Sequence, residues 1–172
     1  MKIAEATAGK LLSMLLEGGL DVALLASPEP LDSRFEARPI YSERFGLAFP
    51  PGHAFERLER LRLIDVAGEP YQDRINYEYG SFVDRLCLDR GVGIEPAYQS
   101  EREDWIMAMV AAGMGVCFLP EFSANHPGVR LRPLAEPEIV RVISVVTVAG
   151  RDHAPAVKAF VGAVGAQDWA MG

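Results

Sequence analysis

Apolar residues recur at helical spacing near the start of the chain. The stretch after Thr7 carries them three and four positions apart, at Leu11, Leu12, Leu15 and Leu16. This spacing predicts a helix with one buried face, and the glycines at 18 and 19 are expected to end it. Residues 2–6 before the helix and the apolar run 20–26 after it are each predicted to be a strand. A strand, a helix and a strand in this order predict a βαβ unit and a parallel sheet.

The alternation of apolar runs and turn residues continues to the end of the chain. Strands are predicted at residues 36–41, 44–50, 71–75, 96–100, 116–119 and 139–149, and helices at residues 61–66, 81–90, 103–112 and 155–164. Ser81 and Asp84 resemble a capping box at the start of the second of these helices. Gly68-Glu69-Pro70 and Glu136-Pro137 interrupt the pattern. We therefore predict two α/β lobes, with residues 1–67 and 138–172 in one and residues 68–137 in the other.

Composition and charge exclude several classes of protein. Of the 172 residues, 49% are hydrophobic and 24% are charged, which is typical of a globular chain. There are 17 Lys and Arg against 24 Asp and Glu, for a net charge of −7 at pH 7. Because a surface that binds nucleic acid must neutralise phosphates, direct DNA contact by these residues is not expected. The longest uncharged run, residues 106–120, is too short for a membrane span. The N-terminus has no apolar secretory segment, so we expect a cytoplasmic protein.

Motifs for catalysis and metal binding are weak. The three histidines lie in predicted loops, and no pair of them has the spacing of metal ligands. No GxSxG, P-loop or GxGxxG motif opens a helix. We therefore expect no catalytic residue, no metal and no cofactor. Cys87 and Cys117 lie within apolar patterns without CxxC spacing, so buried, reduced thiols are expected, and a redox pair is the alternative.

Three predicted strand-to-helix turns end in small or polar residues. They are residues 7–9, 76–81 and 100–103. In open α/β sheets, ligands bind beyond the carboxyl ends of the strands and against helix N-termini, so these turns form the candidate ligand site. The alternative is that Thr7, Ser81 and Ser100 only cap their helices.

Charged and aromatic residues surround the same turns. Acidic residues crowd the start of the third helix, where the helix dipole favours them, and they fill part of an anion site. They are Glu101, Glu103 and Asp104. Arg74 and Arg102 either offset these acids or form salt bridges on the surface. Three aromatic residues either line a pocket or pack in the core, namely Tyr77, Tyr79 and Phe82.

Four segments resemble those of one known family in their order and spacing. They are LLEGGLDVALLA, ERFGLAFP followed by GHAF, DWIMAMVAAGMGVCFLPE, and VRLRPL. The third, residues 104–121, is the most specific, with a Met-Val-Ala-Ala-Gly helix end, a Gly-hydrophobic strand and then Leu-Pro. The chain resembles the effector-binding domain of LysR-type transcription regulators over nearly its whole length.

This resemblance implies a fold, a ligand and an assembly. The fold is the type II periplasmic-binding-protein-like α/β fold, with two Rossmann-like lobes joined by two crossovers and a small-molecule effector in the cleft between them. The assembly is a homodimer or tetramer, in which the helix at residues 8–17 packs against the helix at residues 81–90 of a partner chain. Carried over by position, the ligand-binding residues are Thr7, Asn76, Tyr77, Tyr79, Ser81, Phe82, Ser100, Glu101 and Arg102.

The start of the chain departs from the family pattern. A complete regulator has a winged helix-turn-helix, a linker helix and a first strand-helix unit, and none of these precedes Lys2. We therefore expect a fold without its first strand-helix unit, and DNA binding only through a domain outside this chain. The leading hypothesis is an effector-binding regulatory domain. The alternatives are a free-standing solute-binding protein, disfavoured by the missing secretory segment, and an α/β enzyme using the same cleft, disfavoured by the missing catalytic motif.

Overall fold

The computed structural model describes residues 2–169, which form four α-helices and eight strands. The helices are α1 (Ala8–Glu17), α2 (Gly80–Asp89), α3 (Glu103–Ala111) and α4 (Pro155–Ala166). The strands are β1 (Ala23–Ala26), β2 (Phe35–Phe49), β3 (Leu61–Arg62), β4 (Tyr71–Arg74), β5 (Pro96–Ser100), β6 (Cys117–Pro120), β7 (Arg130–Glu136) and β8 (Val140–Val148). The described residues divide into two compact units, one made of residues 2–42 and 142–169 and the other of Glu43–Arg141.

In the first unit, α1 packs its leucine face near strands β1 and β8, which belong to a six-stranded sheet. Leu15 is fully buried and lies in one apolar cluster with Ala23, Leu25 and Val146. Within the sheet, β1 pairs antiparallel with β8, and β8 lies between β1 and β2 in the strand order. The helix ends at Gly18, whose φ of 78° is in the left-handed region that glycine adopts without steric cost. The spacing of the leucines therefore buries one face of α1, as predicted.

The second unit contains two strand systems. The later part of β2 pairs antiparallel with β6 and with β7, and β3 pairs with β7 in parallel. Strands β4 and β5 form a separate parallel pair. Gly46 permits the close approach of β2 and β7, because a Cβ there would lie 2.5 Å from the carbonyl oxygen of Arg132. The largest fully buried apolar side chains of this unit are Phe45, Leu47, Phe49, Leu61, Ile106, Phe118, Leu119 and Leu134.

Most elements predicted from the sequence are confirmed, since α1 to α4 and β1, β4, β5, β6 and β8 begin and end within three residues of the predicted bounds. The strand predicted at residues 2–6 is wrong, because this segment has no strand partner within the described chain, and Ile3 is 85% exposed. The predicted βαβ unit is therefore wrong as well, and β1 instead pairs antiparallel with β8. A strand needs a neighbour for its backbone hydrogen bonds, and a local pattern cannot show whether one is there.

Three other segments differ from the prediction. Residues 36–41 and 44–50 belong to one strand, β2, because the glutamate between them is buried and paired rather than part of a turn. Residues 61–66 are the short strand β3 followed by a 3₁₀ helix, Leu63–Val66, instead of one α-helix. Strand β7 has no counterpart among the predicted elements, because arginines alternate with its apolar residues.

The two compact units are divided at Ser42–Glu43 and at Arg141–Val142. The lobe boundaries predicted from the sequence, at Gly68 and Pro137, differ from the boundaries of these compact units. The predicted lobes stay a prediction. Within residues 2–169, no helix combines the length and the apolar character needed to cross a membrane.

Candidate functional site

The turns that follow β4 and β5 lie side by side. The two strands are parallel, and Arg74 stands opposite Ser100 at their carboxyl ends. The pairing continues for one more residue, since the backbone N–H of Ile75 donates to the carbonyl oxygen of Ser100 at 3.0 Å. Two of the three predicted turns, residues 76–81 and 100–103, are thus brought together. We call this region the ligand edge, because open α/β sheets bind ligands at such a place.

Side-chain hydrogen bonds shape the ligand edge. The Asn76 amide donates from Nδ2 to a carboxylate oxygen of Glu101 at 2.5 Å, which joins the two turns. Asn76 has a φ of 57°, in the left-handed region that asparagine enters more readily than most residues. The hydroxyl oxygen of Ser100 accepts the backbone N–H of Arg102 at 3.1 Å. Two hydrogen bonds therefore involve four of the predicted ligand-binding residues, one between the turns and one within the second turn.

Both arginines at the ligand edge have carboxylate partners. Arg74 forms an ion pair with Glu103 in the first turn of α3, and its guanidinium lies 5.2 Å from the centre of the Tyr77 ring. Arg102 pairs with Asp104 at 2.6 Å, and its hydrogen bonds lower the pKa of that carboxyl group. The Nε–H of Arg74 is buried and has no acceptor within residues 2–169. Since an unpaired buried donor is costly, this N–H is suited to receive an oxygen atom of a ligand or of water.

The aromatic residues of the first turn pack within the second unit. Gly80 leaves room for the Tyr77 ring, because a Cβ at position 80 would lie 3.2 Å from Cε1 of that ring. Tyr79 is 4% exposed, and its ring centre lies 5.0 Å from that of Phe45 and 5.8 Å from that of Phe82. Burial raises the pKa of both tyrosines, so their hydroxyl groups stay protonated at neutral pH. Tyr79 is a packing residue, whereas Tyr77 lies beside the arginine of the ligand edge.

An ion network of Glu43, Glu78 and Arg141 supports the first turn. None of these three is among the ligand-binding residues predicted from the sequence. Arg141 Nε donates to Oε1 of Glu43 at 2.8 Å, and Nη2 lies 2.7 Å from the same oxygen. Arg141 Nη1 donates to Oε1 of Glu78 at 2.7 Å. The other oxygen of Glu43 accepts the backbone N–H of Phe122 at 2.9 Å. Glu43 and Arg141 are 98 positions apart, so no local pattern could find them; the one available clue is a glutamate inside the apolar strand β2.

Thr7 and Ser81 do not share the hydrogen bonds of the ligand edge. Thr7 is exposed, belongs to the first unit, and stands at the N-cap position of α1, where its side chain makes no capping hydrogen bond. Ser81 is exposed and lies inside α2, because the N-cap position of that helix is taken by Tyr79. The capping box predicted for Ser81 and Asp84 is therefore wrong. The predicted convergence of Thr7 with the turns of the second unit stays a prediction.

The two cysteines are buried, as predicted, and both are free thiols. Cys87 lines an open cavity of about 260 Å³ on the α2 side of β4, together with Asp73, Tyr77 and Asp84. Burial, aided by the charge of Asp84, raises the pKa of the Cys87 thiol to about 11. Burial also raises the pKa of Cys117, so neither thiol is appreciably ionised at neutral pH. In the part of the chain that the structure describes, no three His, Cys, Asp or Glu residues are placed to hold a metal ion.

Known proteins resemble this chain in sequence and in structure. A sequence profile of the LysR substrate binding domain matches residues 1–169. A hydrogen peroxide-inducible genes activator of Pectobacterium carotovorum subsp. carotovorum is 30% identical over 154 residues, which cover 85% of this chain and 50% of that protein. The effector binding domain of QuiR in complex with shikimate has a TM-score of 0.79 at 18% identity, covering 92% of this chain and 77% of that one. The CcmR regulatory domain of Synechocystis PCC6803 in complex with 2-PG has a TM-score of 0.82 at 14% identity, covering 93% and 79%.

These similarities establish the fold and the family. The solved domains confirm the predicted type II periplasmic-binding-protein-like α/β fold. The chain spans about half the length of the relatives it matches in sequence. Because the sequence profile covers almost every residue, this chain belongs to the LysR substrate binding domain family.

Proposed function

We propose that this chain is the effector-binding domain of a LysR-type transcription regulator and that a small molecule binds at its ligand edge. The observation that carries the proposal is the edge itself, where two parallel strands end side by side. The Asn76 amide and the Glu101 carboxylate join the two turns through a hydrogen bond, and the Ser100 hydroxyl accepts the backbone N–H of Arg102 beside them. The buried Nε–H of Arg74, which has no acceptor within residues 2–169, supports a ligand that carries an oxygen atom.

The charges of the ligand edge bear on the chemistry of the ligand. QuiR was solved with shikimate and CcmR with 2-PG, so a small, oxygen-rich molecule is the starting point. In this chain Arg74 and Arg102 are already paired with carboxylates, and Glu101 adds a further negative charge. We therefore propose a ligand that binds mainly through hydroxyl groups, because a highly charged anion would meet more acids than free cations here.

Peroxide sensing deserves comparison because the similar protein of Pectobacterium is named as a hydrogen peroxide-inducible genes activator. The thiolate is the reactive form of cysteine. In this chain both thiols are buried, and burial raises the pKa of each. The structure of the cysteines therefore supports a bound small molecule as the effector, rather than oxidation of a thiol.

The partners of the chain are part of the proposal. The relatives are transcription regulators of about twice the length of this chain, which supports a regulatory rather than an enzymatic role. We propose that DNA is bound by a helix-turn-helix domain outside these 172 residues, in the bacterial cytoplasm where the DNA lies. We also propose a homodimer or tetramer in which α1 packs against α2 of a partner chain. The apolar face of α1, with Leu12 and Leu16 only partly buried, supports this contact.

Thermal unfolding with and without ligand tests the proposal. The panel contains shikimate, 2-PG, a series of small hydroxy acids and uncharged polyols. A ligand present at one hundred times its dissociation constant stabilises the folded state by about 2.7 kcal/mol. For a chain of this size, that corresponds to a rise of roughly 5–10 °C in the melting temperature. Hydroxylated compounds are expected to give this rise more often than multiply charged anions.

A pair of arginine variants locates the site. Arg74→Met removes the buried Nε–H and is expected to abolish the rise that a positive compound produces in the wild type. Arg57→Met removes an exposed arginine outside the ligand edge and is expected to keep the rise. The proposed site would be wrong if both variants responded to the compound like the wild type, and the proposed function would be wrong if no compound of the panel bound.

A further inference from the structure

We infer that Arg141 is the positioning residue of residues 76–82, which are the turn after β4 and the start of α2, and that it holds this part of the ligand edge in place through Glu78. The inference rests on the proposed function only in so far as this turn is taken to contact a ligand. Neither Arg141 nor Glu78 is among the ligand-binding residues predicted from the sequence, and neither takes part in the hydrogen bond between Asn76 and Glu101. Their proposed role is to fix the backbone of the turn through the ion pair between Arg141 and Glu78.

The position of the Arg141 side chain is itself fixed by Glu43. Arg141 engages Oε1 of Glu43 with two nitrogens, while Oε2 of the same carboxylate accepts the backbone N–H of Phe122. The side chain of Glu43 is 1% exposed, so its charge has no access to water. The guanidinium also lies 5.8 Å from the centre of the Phe45 ring. A guanidinium held by a buried carboxylate and an aromatic ring has one orientation.

That orientation leaves the third nitrogen, Nη1, directed at Glu78. The distance of 2.7 Å is that of a strong charge-assisted hydrogen bond, and the Glu78 side chain is 20% exposed. Glu78 stands between Tyr77, which packs beside Arg74, and Tyr79, which packs on Phe45. The ion pair thus holds the middle of the turn, between the two residues whose rings make these contacts.

The burial of the three residues decides which one should be replaced to test the inference. Loss of Glu78 leaves the buried pair of Glu43 and Arg141 intact, so the unit is expected to stay folded. Loss of Arg141 also leaves the buried carboxylate of Glu43 without its charged partner. Arg141 variants would therefore change both the turn and the stability of the whole unit. Glu78→Gln is therefore the informative variant. The matched control is Glu121→Gln, since Glu121 is also a carboxylate in an ion pair, is 22% exposed, and pairs with Arg44 outside the turn.

Fluorine NMR without ligand tests the inference. The chain has five tyrosines, which are replaced by 3-fluorotyrosine and assigned with single Tyr→Phe variants. In Glu78→Gln, the resonances of Tyr77 and Tyr79 are expected to shift and broaden, while those of Tyr71 and Tyr98 keep their positions. Amide hydrogen exchange at residues 76–82 is expected to be about tenfold faster, because a hydrogen bond between charged groups is lost. Glu121→Gln is expected to change neither measurement at these residues.

Three outcomes would overturn the inference. In the first, Tyr77 and Tyr79 keep their resonances in Glu78→Gln, so that other contacts hold the turn. In the second, all five resonances move together with the melting temperature, which indicates a general structural role. In the third, Glu121→Gln produces the same changes as Glu78→Gln. Because no ligand is present, these results stand apart from the ligand panel, which tests the proposed function separately.

Discussion

Replacing Arg141 with Met removes a charge from the interior while keeping a side chain of similar length. Glu43, whose side chain is 1% exposed, then keeps the backbone N–H of Phe122 as its one hydrogen-bond donor among residues 2–169. Removing one partner of a buried ion pair typically costs about 3–5 kcal/mol, because the remaining charge stays buried without compensation. Domains of this kind have a total unfolding free energy of about 5–15 kcal/mol, so a large share of the stability is lost.

Urea denaturation followed by circular dichroism measures this loss. With a denaturant slope of about 2 kcal/mol per molar urea, the midpoint of Arg141→Met is expected to fall by roughly 2 M. The double variant Glu43→Gln with Arg141→Met no longer contains the fully buried charge of Glu43, and the Glu78 carboxylate that also loses its partner is 20% exposed, so the loss is expected to stay below about 2 kcal/mol. The reasoning fails if the single variant loses less than about 1 kcal/mol, or if the double variant is destabilised as much as the single one.

Three further predictions concern other parts of the molecule. Gly115→Ala is expected to lower the free energy of unfolding by more than about 2 kcal/mol in urea denaturation, because a Cβ there would lie 2.0 Å from the carbonyl oxygen of Pro70 and φ is 146°. The control Gly52→Ala, which has open space around its Cβ, should lower it by about 1 kcal/mol. Burial raises the pKa of Cys87 to about 11, so roughly one molecule in ten thousand is expected to carry the thiolate at pH 7. Its reaction with Ellman's reagent should therefore be slow at pH 7 and about tenfold faster with each pH unit up to pH 10. A fast reaction at pH 7 would contradict the burial. Leu16→Glu is expected to give a folded monomer by light scattering and circular dichroism, and an unchanged mass would place the proposed dimer contact elsewhere.

The sequence predicts those parts of the fold that depend on local patterns. The leucines of α1 repeat at helical spacing because one face is buried, and glycine ends the helix because it adopts a positive φ. The apolar runs of β1 and β6 are strands because both lie in the core. The turns after β4 and β5 were predicted as a ligand site because parallel strands end at the same edge of a sheet, and the hydrogen bond between Asn76 and Glu101 joins them.

The remaining features depend on contacts between residues that are distant in the chain. Residues 2–6 have the pattern of a strand, but a strand forms only where a neighbouring strand accepts its hydrogen bonds. Glu43 divided β2 into two predicted strands, because a charged residue in an apolar run suggests a turn unless its partner is known. That partner, Arg141, lies 98 positions later. The Arg141 network that supports the ligand edge was missed for the same reason.

Glu43 and Arg141 are also the first and last residues of the second compact unit. Their ion pair, and the hydrogen bond of 2.7 Å from the Phe45 N–H to the Ile139 carbonyl oxygen, bring the entry and exit of this unit together. A segment whose two ends are adjacent can be inserted into a host chain at one point, without stretching the polypeptide on either side. The segment 43–141 thus has the geometry of an inserted module. Replacing this segment by that of a related chain would exchange β4, β5 and the ligand edge as one piece, while α1, β1 and α4 of the first unit stay unchanged.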